Sequence, residues 1–505
     1  MPTTPDRCNR NLLIASIAVF CNMTSWRSLE VLQSSLNHEV GTVAVASIYV
    51  TAMLSSFVFP AYFIKKITPR KCLIICPVGY AVYTAANFYP VVYTLVPATV
   101  LAGICSSIQW PAVLVYISKL CDIKSSCAKN ENNVNAKYFG IFYCIVNFSL
   151  LVGTIFLTVL FAITDQRISK ENNTSLILMN DTNISFIVNH ECGLYYEEGG
   201  REKSTSSSTL NDHIVYIIIS IFLSLNIATS VLFYFLDETA DSSDHLATLR
   251  VKNIEESDTK DTKEHIDSLA TPNHCLMKQL NPKLRKQHSK RKFFKCSNSA
   301  KAVFKLICSD KVSWLSFLMS MHVGTLQAFS RSTYNAAWVS CSQGIRYVAY
   351  VSLCLGALQP LGSLISGYAL RYMNHISLFT IATFLETSVT VVIFIWTPTE
   401  DGKVILFVIA ATLAVAHGVF LSQVPSAYNL LFPEDRSAAM SLHYLGLFLG
   451  GGIINCITAL SHPIVPLIFN MSCLLLGYLL FITGFKIKNK KRCDHSNQSS
   501  SKEEI

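Results

Sequence analysis

"NLLIASIAVFCNMTSWRSLEVLQSSLN", Asn11 to Asn37, opens as a membrane helix and does not close as one. Up to Trp26 it is largely apolar, as a segment crossing hydrocarbon must be. Beyond it stand Arg27, Glu30, Gln33, Ser34, Ser35 and Asn37 among Leu29, Leu32 and Leu36. A continuous helix over residues 11–37 would run roughly 40 Å at 1.5 Å per residue. Arg27, Glu30, Ser34 and Asn37 recur at intervals of 3, 4 and 3, so they share one stripe while the leucines take another. A polar stripe on a membrane helix belongs against a water-filled cavity or the bundle interior, because lipid cannot satisfy it. The competing reading stops the helix at the headgroups, with Trp26 as anchor and Arg27 snorkelling. Labelling separates the two. Cysteines placed at Gln33, Ser34 and Asn37 are expected to react with an impermeant thiol reagent from outside, with one at Leu32 protected. Uniform labelling of all four would remove the stripe.

Working outward, eleven further apolar blocks follow, over 43–63, 72–88, 93–117, 138–163, 213–236, 312–330, 347–370, 376–396, 404–424, 438–460 and 466–487. Most are near the ~20 residues that a spanning helix needs, and none alternates as a barrel strand would. The chain is 51% hydrophobic and 14% charged, with mean hydropathy +0.39, against about 25% charged in a typical soluble domain. The expected fold is therefore an all-α polytopic membrane protein with twelve transmembrane helices. A short N-terminal segment, 1–10, precedes a first six-helix bundle over 11–236. A linker over 237–311 joins it to a second over 312–487, and 488–505 forms a tail.

No small-residue cleavage pattern follows the first block, so it reads as a retained span. Lys and Arg concentrate in loops that share a side with both termini, which places the termini in the cytosol. The net charge of +9 is then a topology signal, and no soluble domain exists to carry it to a nucleic acid. The loop 164–212 falls on the other side and carries four glycosylation sequons, at Asn172, Asn173, Asn180 and Asn183. Of seventeen cysteines, the two in outer loops are Cys192 and Cys341, which either pair with each other or leave Cys192 unpaired. The linker is acidic and Ser/Thr-rich, then basic, and cannot build a core. Its basic end, Lys283–Lys295, is either a solvated stretch or a contact for anionic lipid. The tail carries no acidic dileucine or tyrosine sorting motif. The plasma membrane is the default location, with an endosomal one as the alternative.

Two stretches suggest an internal repeat: "FPAYFIKKITPRKCLI" after the second block and "ISGYALRYMNHISLFT" after the eighth. Both leave through an aromatic-containing turn, present basic residues and re-enter. This is where the major facilitator superfamily carries a signature containing an aspartate; Lys65 and Arg371 stand there instead. The chain resembles the Unc-93-like family, which lacks that acid. The resemblance rests on "RNLL" (Arg10–Leu13), "LQSSLN" (Leu32–Asn37), "MLSSFVFPAYFIKK" (Met53–Lys66), "NFYPVVYTLVPATVLAG" (Asn87–Gly103) and "KYFGIFY" (Lys137–Tyr143). It continues more loosely through "VSCSQGIRYVAYVSLCLGA" (Val339–Ala357) and "AYNLLF" (Ala427–Phe432). The chain departs from the family at Pro111 beside Trp110, and at Val424-Pro425 after Gln423, where relatives carry polar groups.

The resemblance implies a facilitator-type six-plus-six bundle that regulates, chaperones or traffics a client membrane protein, a potassium-channel or receptor complex. The alternative is a secondary transporter of a small polar or organic solute, proton-coupled or not. In this fold, spans 1, 4, 7 and 10 line a cavity. Candidates to face it are Arg27, Glu30, Gln33, Ser34 and Asn37, with Gln109, His322, Gln327, His417 and Gln423. Each of the latter five is, singly, more often glue between helices. Glu386, midway along the ninth block, is either a proton-coupling carboxylate or a structural hydrogen-bond partner, since a bare charge there is costly. Gly446 and Gly450 form a small-residue pair suited to packing inside the bundle, or to dimerisation. No catalytic, metal or cofactor motif is legible: Cys72 and Cys76 lie in an apolar block without histidines.

Overall fold

Prolines decide where the early helices begin. Pro60, Pro69 and Pro77 each stand in a helix's first turn, where a missing N–H leaves nothing unpaired and the fixed φ suits the helix. The computed structural model describes residues 4–36, 38–127, 134–172, 192–194, 196, 212–239, 306, 311–399 and 401–503. Ahead of the linker the helices are α1 (Cys8–Leu36), α2 (His38–Ser56), α3 (Phe59–Ile67), α4 (Pro69–Ile75), α5 (Pro77–Ala86), α6 (Val92–Cys127), α7 (Val134–Asn172) and α8 (Asp212–Tyr234). Beyond it come α9 (Lys311–Arg331), α10 (Ile345–Ala369), α11 (His375–Ile395), α12 (Lys403–Leu431), α13 (Arg436–Leu460) and α14 (Ile464–Glu503). α1 continues past Trp26 to Leu36 without a break, so the backbone does not stop at the polar residues.

Among the described residues, nine helices are long and apolar enough to cross a membrane, and α2 with α3, bent by 64°, makes a tenth if the pair is one broken span. Two of the twelve expected blocks fall short for different reasons. Pro77 cuts block 72–88 into α4 and α5, each too short alone. Block 312–330 becomes α9, long enough but rich in polar groups, with Ser313, Ser316, Ser320, His322, Thr325 and Gln327 along it.

Helices ahead of the linker pack chiefly on one another, as do those after it. The two sets meet where α7 lies on α10 and α12, and where α13 lies on α2, α3 and α6. At the first seam Gly140 and Gly367 bring the backbones together; a methyl on Gly140 would stand 2.9 Å from the Gly367 Cα. Gly446 and Gly450 face α9 at Ser320 and Met321, so the small-residue pair is spent inside the bundle.

Candidate functional site

Side chains that look alike in the sequence are sorted by the fold into three environments. The first lies within the leading set of helices. Gln109 Nε2 donates to Asn22 Oδ1 (2.9 Å), Asn22 Nδ2 to Asn226 Oδ1 (2.9 Å), and Asn226 Nδ2 to Thr84 Oγ1 (2.9 Å) and Ser25 Oγ (3.1 Å). All five are buried. They tie α1, α5, α6 and α8 where water cannot substitute, which is the task of polar groups in a membrane bundle. Gln109 is thus an internal strut. Arg10 and Asn11 close the same set at the N-terminal end by donating to Asp237 (2.6 and 3.2 Å).

The second environment lies inside the trailing set. Glu386 Oε2 sits 3.0 Å from His322 Nε2, Asn470 Nδ2 donates to Glu386 Oε1 (3.0 Å), and Thr325 Oγ1 donates to Asn470 Oδ1 (2.7 Å). His322, Glu386 and Thr325 are 0% exposed, so both carboxylate oxygens are answered by protein rather than water. His417 is also buried. Gln423 donates to Ser366 Oγ (3.1 Å) and holds α12 to α10. His417 also interacts electrostatically with Arg331, His322 and Arg27, and its buried Nε2 has no hydrogen-bond partner among the described residues.

The third runs between the two sets, in layers. Nearest the N-terminal end, Arg436 of α13 pairs through two nitrogens with Asp122 of α6, and Lys65 lies 3.3 Å from Asp435. The signature position therefore does make a contact across the bundle, with its charge reversed: a lysine reaches the acid that precedes α13. Arg371, its counterpart after α10, lies over the Tyr368 ring. In the same layer Asn135 donates to Ser426 O and Oγ (2.7 and 2.9 Å) and accepts from Asn429 (2.7 Å). A cavity of about 270 Å³ lies beside them, with His375 in its wall. Further in, the Tyr143 and Tyr444 hydroxyls meet at 3.0 Å and Trp110 stacks on Tyr444, forming an aromatic floor.

Beyond that floor lies the start of the polar stripe. Arg27 donates to Ser149 Oγ (3.0 Å) and Asn147 Oδ1 (3.5 Å), and Glu30 Oε1 accepts from the Tyr49 hydroxyl (2.7 Å). Arg331, at the far end of α9, interacts electrostatically with Arg27. Arg27, Glu30, Tyr49, Gln327 and Arg331 are all half-buried, unlike the two internal networks. Of Gln33 and Ser34 only the helical backbone is described; Asn37, Asn173, Asn180, Asn183 and Lys283–Lys295 lie outside the described residues. Asn172 is the last residue of α7. Cys192 is joined to Cys341 by a disulfide, with Gly193 N donating to Ala337 O (2.8 Å) beside it.

Reading the sequence by spans missed Arg331, Tyr49 and the Asp122–Arg436 pair. Arg331 follows the apolar block 312–330 and so resembled a loop residue, although it stands as deep along α9 as Arg27 along α1.

A family model described as ion channel regulatory protein UNC-93 matches residues 33–486. The chain belongs to the UNC-93 family. Relatives in the family include protein unc-93 homolog A of Xenopus laevis, 25% identical over 500 residues and covering 97% of this chain and 95% of that one. The human homolog A is 24% identical over 450 residues, covering 88% and 86%. A Caenorhabditis elegans member named for potassium-channel regulation is 21% identical over 500 residues, covering 95% and 62%. Among solved structures, FucP, a major facilitator superfamily transporter in its outward conformation, matches with TM-score 0.60 at 11% identity, over 94% of this chain and 98% of that one. The human organic anion transporter MFSD10 matches with TM-score 0.57 at 10% identity, over 94% and 99%. These likenesses establish the fold of this UNC-93 member as major facilitator-type. It is a multi-pass helical membrane protein.

Proposed function

We propose that this UNC-93 protein is an accessory subunit that regulates, chaperones or traffics an ion channel or receptor in the same membrane. Family membership over most of the chain carries the reading. In it the chain crosses the membrane twelve times as six plus six, with α4–α5, broken at Pro77, and α9, rich in polar groups, each serving as a span. Both termini face the cytosol, and the stretch 164–212, whose first residues continue α7 to Asn172, carries glycans on the far side. The plasma membrane is the default site of action, with endosomes second, and Lys283–Lys295 rests on anionic lipid.

Purification of the tagged full chain from native membranes in mild detergent, with quantitative mass spectrometry, tests this. We expect one channel or receptor subunit near 1:1 with the chain, lost on substituting lipid-facing residues such as Phe384 or Ile395, which are largely exposed on α11. A preparation holding no membrane protein above background would overturn the accessory reading.

A second reading, a secondary transporter of a small solute, is favoured by one observation. Arg27, Glu30 and Arg331 are half-buried between the two sets of helices, where a pure scaffold has no need of charge. Proton coupling would fall to Glu386. Flux by the purified protein in liposomes, with no client present, distinguishes it.

A further inference from the structure

Two cations and one anion interact electrostatically beyond the aromatic floor, and the anion is already engaged by the Tyr49 hydroxyl. Arg27 and Arg331 each stand about 20 residues into their helices, at matching depths of roughly 30 Å from the first residue. They interact electrostatically with one another and with the Glu30–Tyr49 pair. The bonds Arg27 makes are to neutral acceptors, Ser149 and Asn147. Glu30 is bonded to the Tyr49 hydroxyl, and no described carboxylate lies within 4 Å of either guanidinium. Arg331 Nη2 is buried and has no hydrogen-bond partner.

Two bland explanations for Arg331 fail on these facts. A snorkelling arginine carries its guanidinium out to water, whereas this nitrogen is turned inward. A cation that merely complements a helix end answers free carbonyls, and here Ala328 O already accepts from Ser332 N (2.8 Å) and Ser332 O from Ala336 N (3.0 Å) as the chain turns on past α9. What remains is a half-buried guanidinium with one inward-turned nitrogen unanswered, and a buried donor without an acceptor is expensive.

The missing partner can be described chemically. Two guanidinium groups against one carboxylate leave a single positive charge, which a monoanion balances. The fork of an arginine matches the two oxygens of a carboxylate. On the inner side the site is floored by Trp110, half-buried and stacked on Tyr444, with Tyr143 one turn of α7 before Asn147. We infer that Arg27 and Arg331 form a binding site for a small monocarboxylate whose apolar body rests towards the Trp110–Tyr444 layer. The site concerns occupancy, so it requires neither transport nor a client, and it stands or falls separately from both.

The test uses the purified full chain in detergent, with sodium benzoate as probe, benzamide as its uncharged counterpart and sodium chloride at matched ionic strength. Thermal unfolding and titration calorimetry are the readouts. Benzoate is expected to raise the unfolding temperature saturably, with benzamide inert and chloride weaker. Arg331→Ala removes donors that hold nothing else in the fold and is expected to weaken benzoate at least about tenfold, as loss of a charge-assisted pair does. Glu30→Gln, which removes the competing negative charge, is expected to tighten it. The pair of opposite signs protects the test: were Arg331→Ala misfolded, Glu30→Gln and Arg331→Lys would still report. The inference is overturned if wild type ignores benzoate in the millimolar range, if benzamide or chloride matches it, or if neither Arg331→Ala nor Glu30→Gln changes its affinity.

Discussion

Glu386→Ala is expected to destabilise the protein by about 3–5 kcal/mol, the usual cost of removing one partner from a buried, hydrogen-bonded pair of ionisable groups. The alanine would leave the Asn470 amide and the His322 ring without their acceptor, 3.0 Å away on either side, in a site with no exposure. It would also open a cavity between α9, α11 and α14. Denaturant unfolding in mixed micelles, followed by size-exclusion of the folded fraction, measures it. Glu386→Gln keeps the shape and a carbonyl for Asn470, so its loss should be smaller. Replacing both His322 and Glu386 by leucine should cost less than Glu386→Ala, because the space is refilled and only the Asn470 amide is left without its acceptor. If Glu386→Ala unfolds like wild type, the network is not structural, and proton coupling becomes the better account of a carboxylate at this depth.

Gly450→Ala should be nearly as damaging although it adds one methyl. That carbon would fall on the Met321 carbonyl oxygen of α9, well inside van der Waals contact, and the obstacle is backbone, not a flexible side chain. The α9–α13 seam would have to part, at upwards of about 2 kcal/mol. Gly452, two residues on, has nothing within 4 Å of the same hypothetical carbon, so Gly452→Ala is the matched control. Equal stability of the two variants would show that α9 and α13 are not in backbone contact. Were the pair a dimer contact instead, Gly450→Ala would change the oligomeric state and leave the fold intact.

The two substitutions mark where reading along the chain stops. Glu386 announced itself as an acid inside an apolar block, and its need for a partner followed from hydrocarbon alone. Which partner it finds did not, since His322 and Asn470 lie 64 and 84 residues away. Gln109, His417 and Gln423 were correctly placed on helices, yet their surroundings depend on helix rotation. A turn of some tens of degrees moves a glutamine from a cavity wall into a helix seam, and the periodicity of a mostly apolar span scarcely constrains that rotation. Lys65 is a sharper case. Its sequence departs from the facilitator signature, but only the approach of α3 to α13 shows that Asp435 awaits it with the opposite charge.

The sequence by itself determined that this is a multi-pass helical membrane protein of the UNC-93 family, and it marked Arg27 and Glu30 as polar groups in need of shelter. Those properties are local. The length of an apolar run, its polar interruptions and its flanking charges act through hydrocarbon thickness and hydration, whatever the remote parts of the chain do. Tertiary structure alone decided that Arg331 joins Arg27, that Asp122 clasps Arg436, and that Tyr143 meets Tyr444. Each of these contacts spans more than a hundred residues of chain and depends on how two sets of helices are turned towards each other, which is a property of packing and of no single segment.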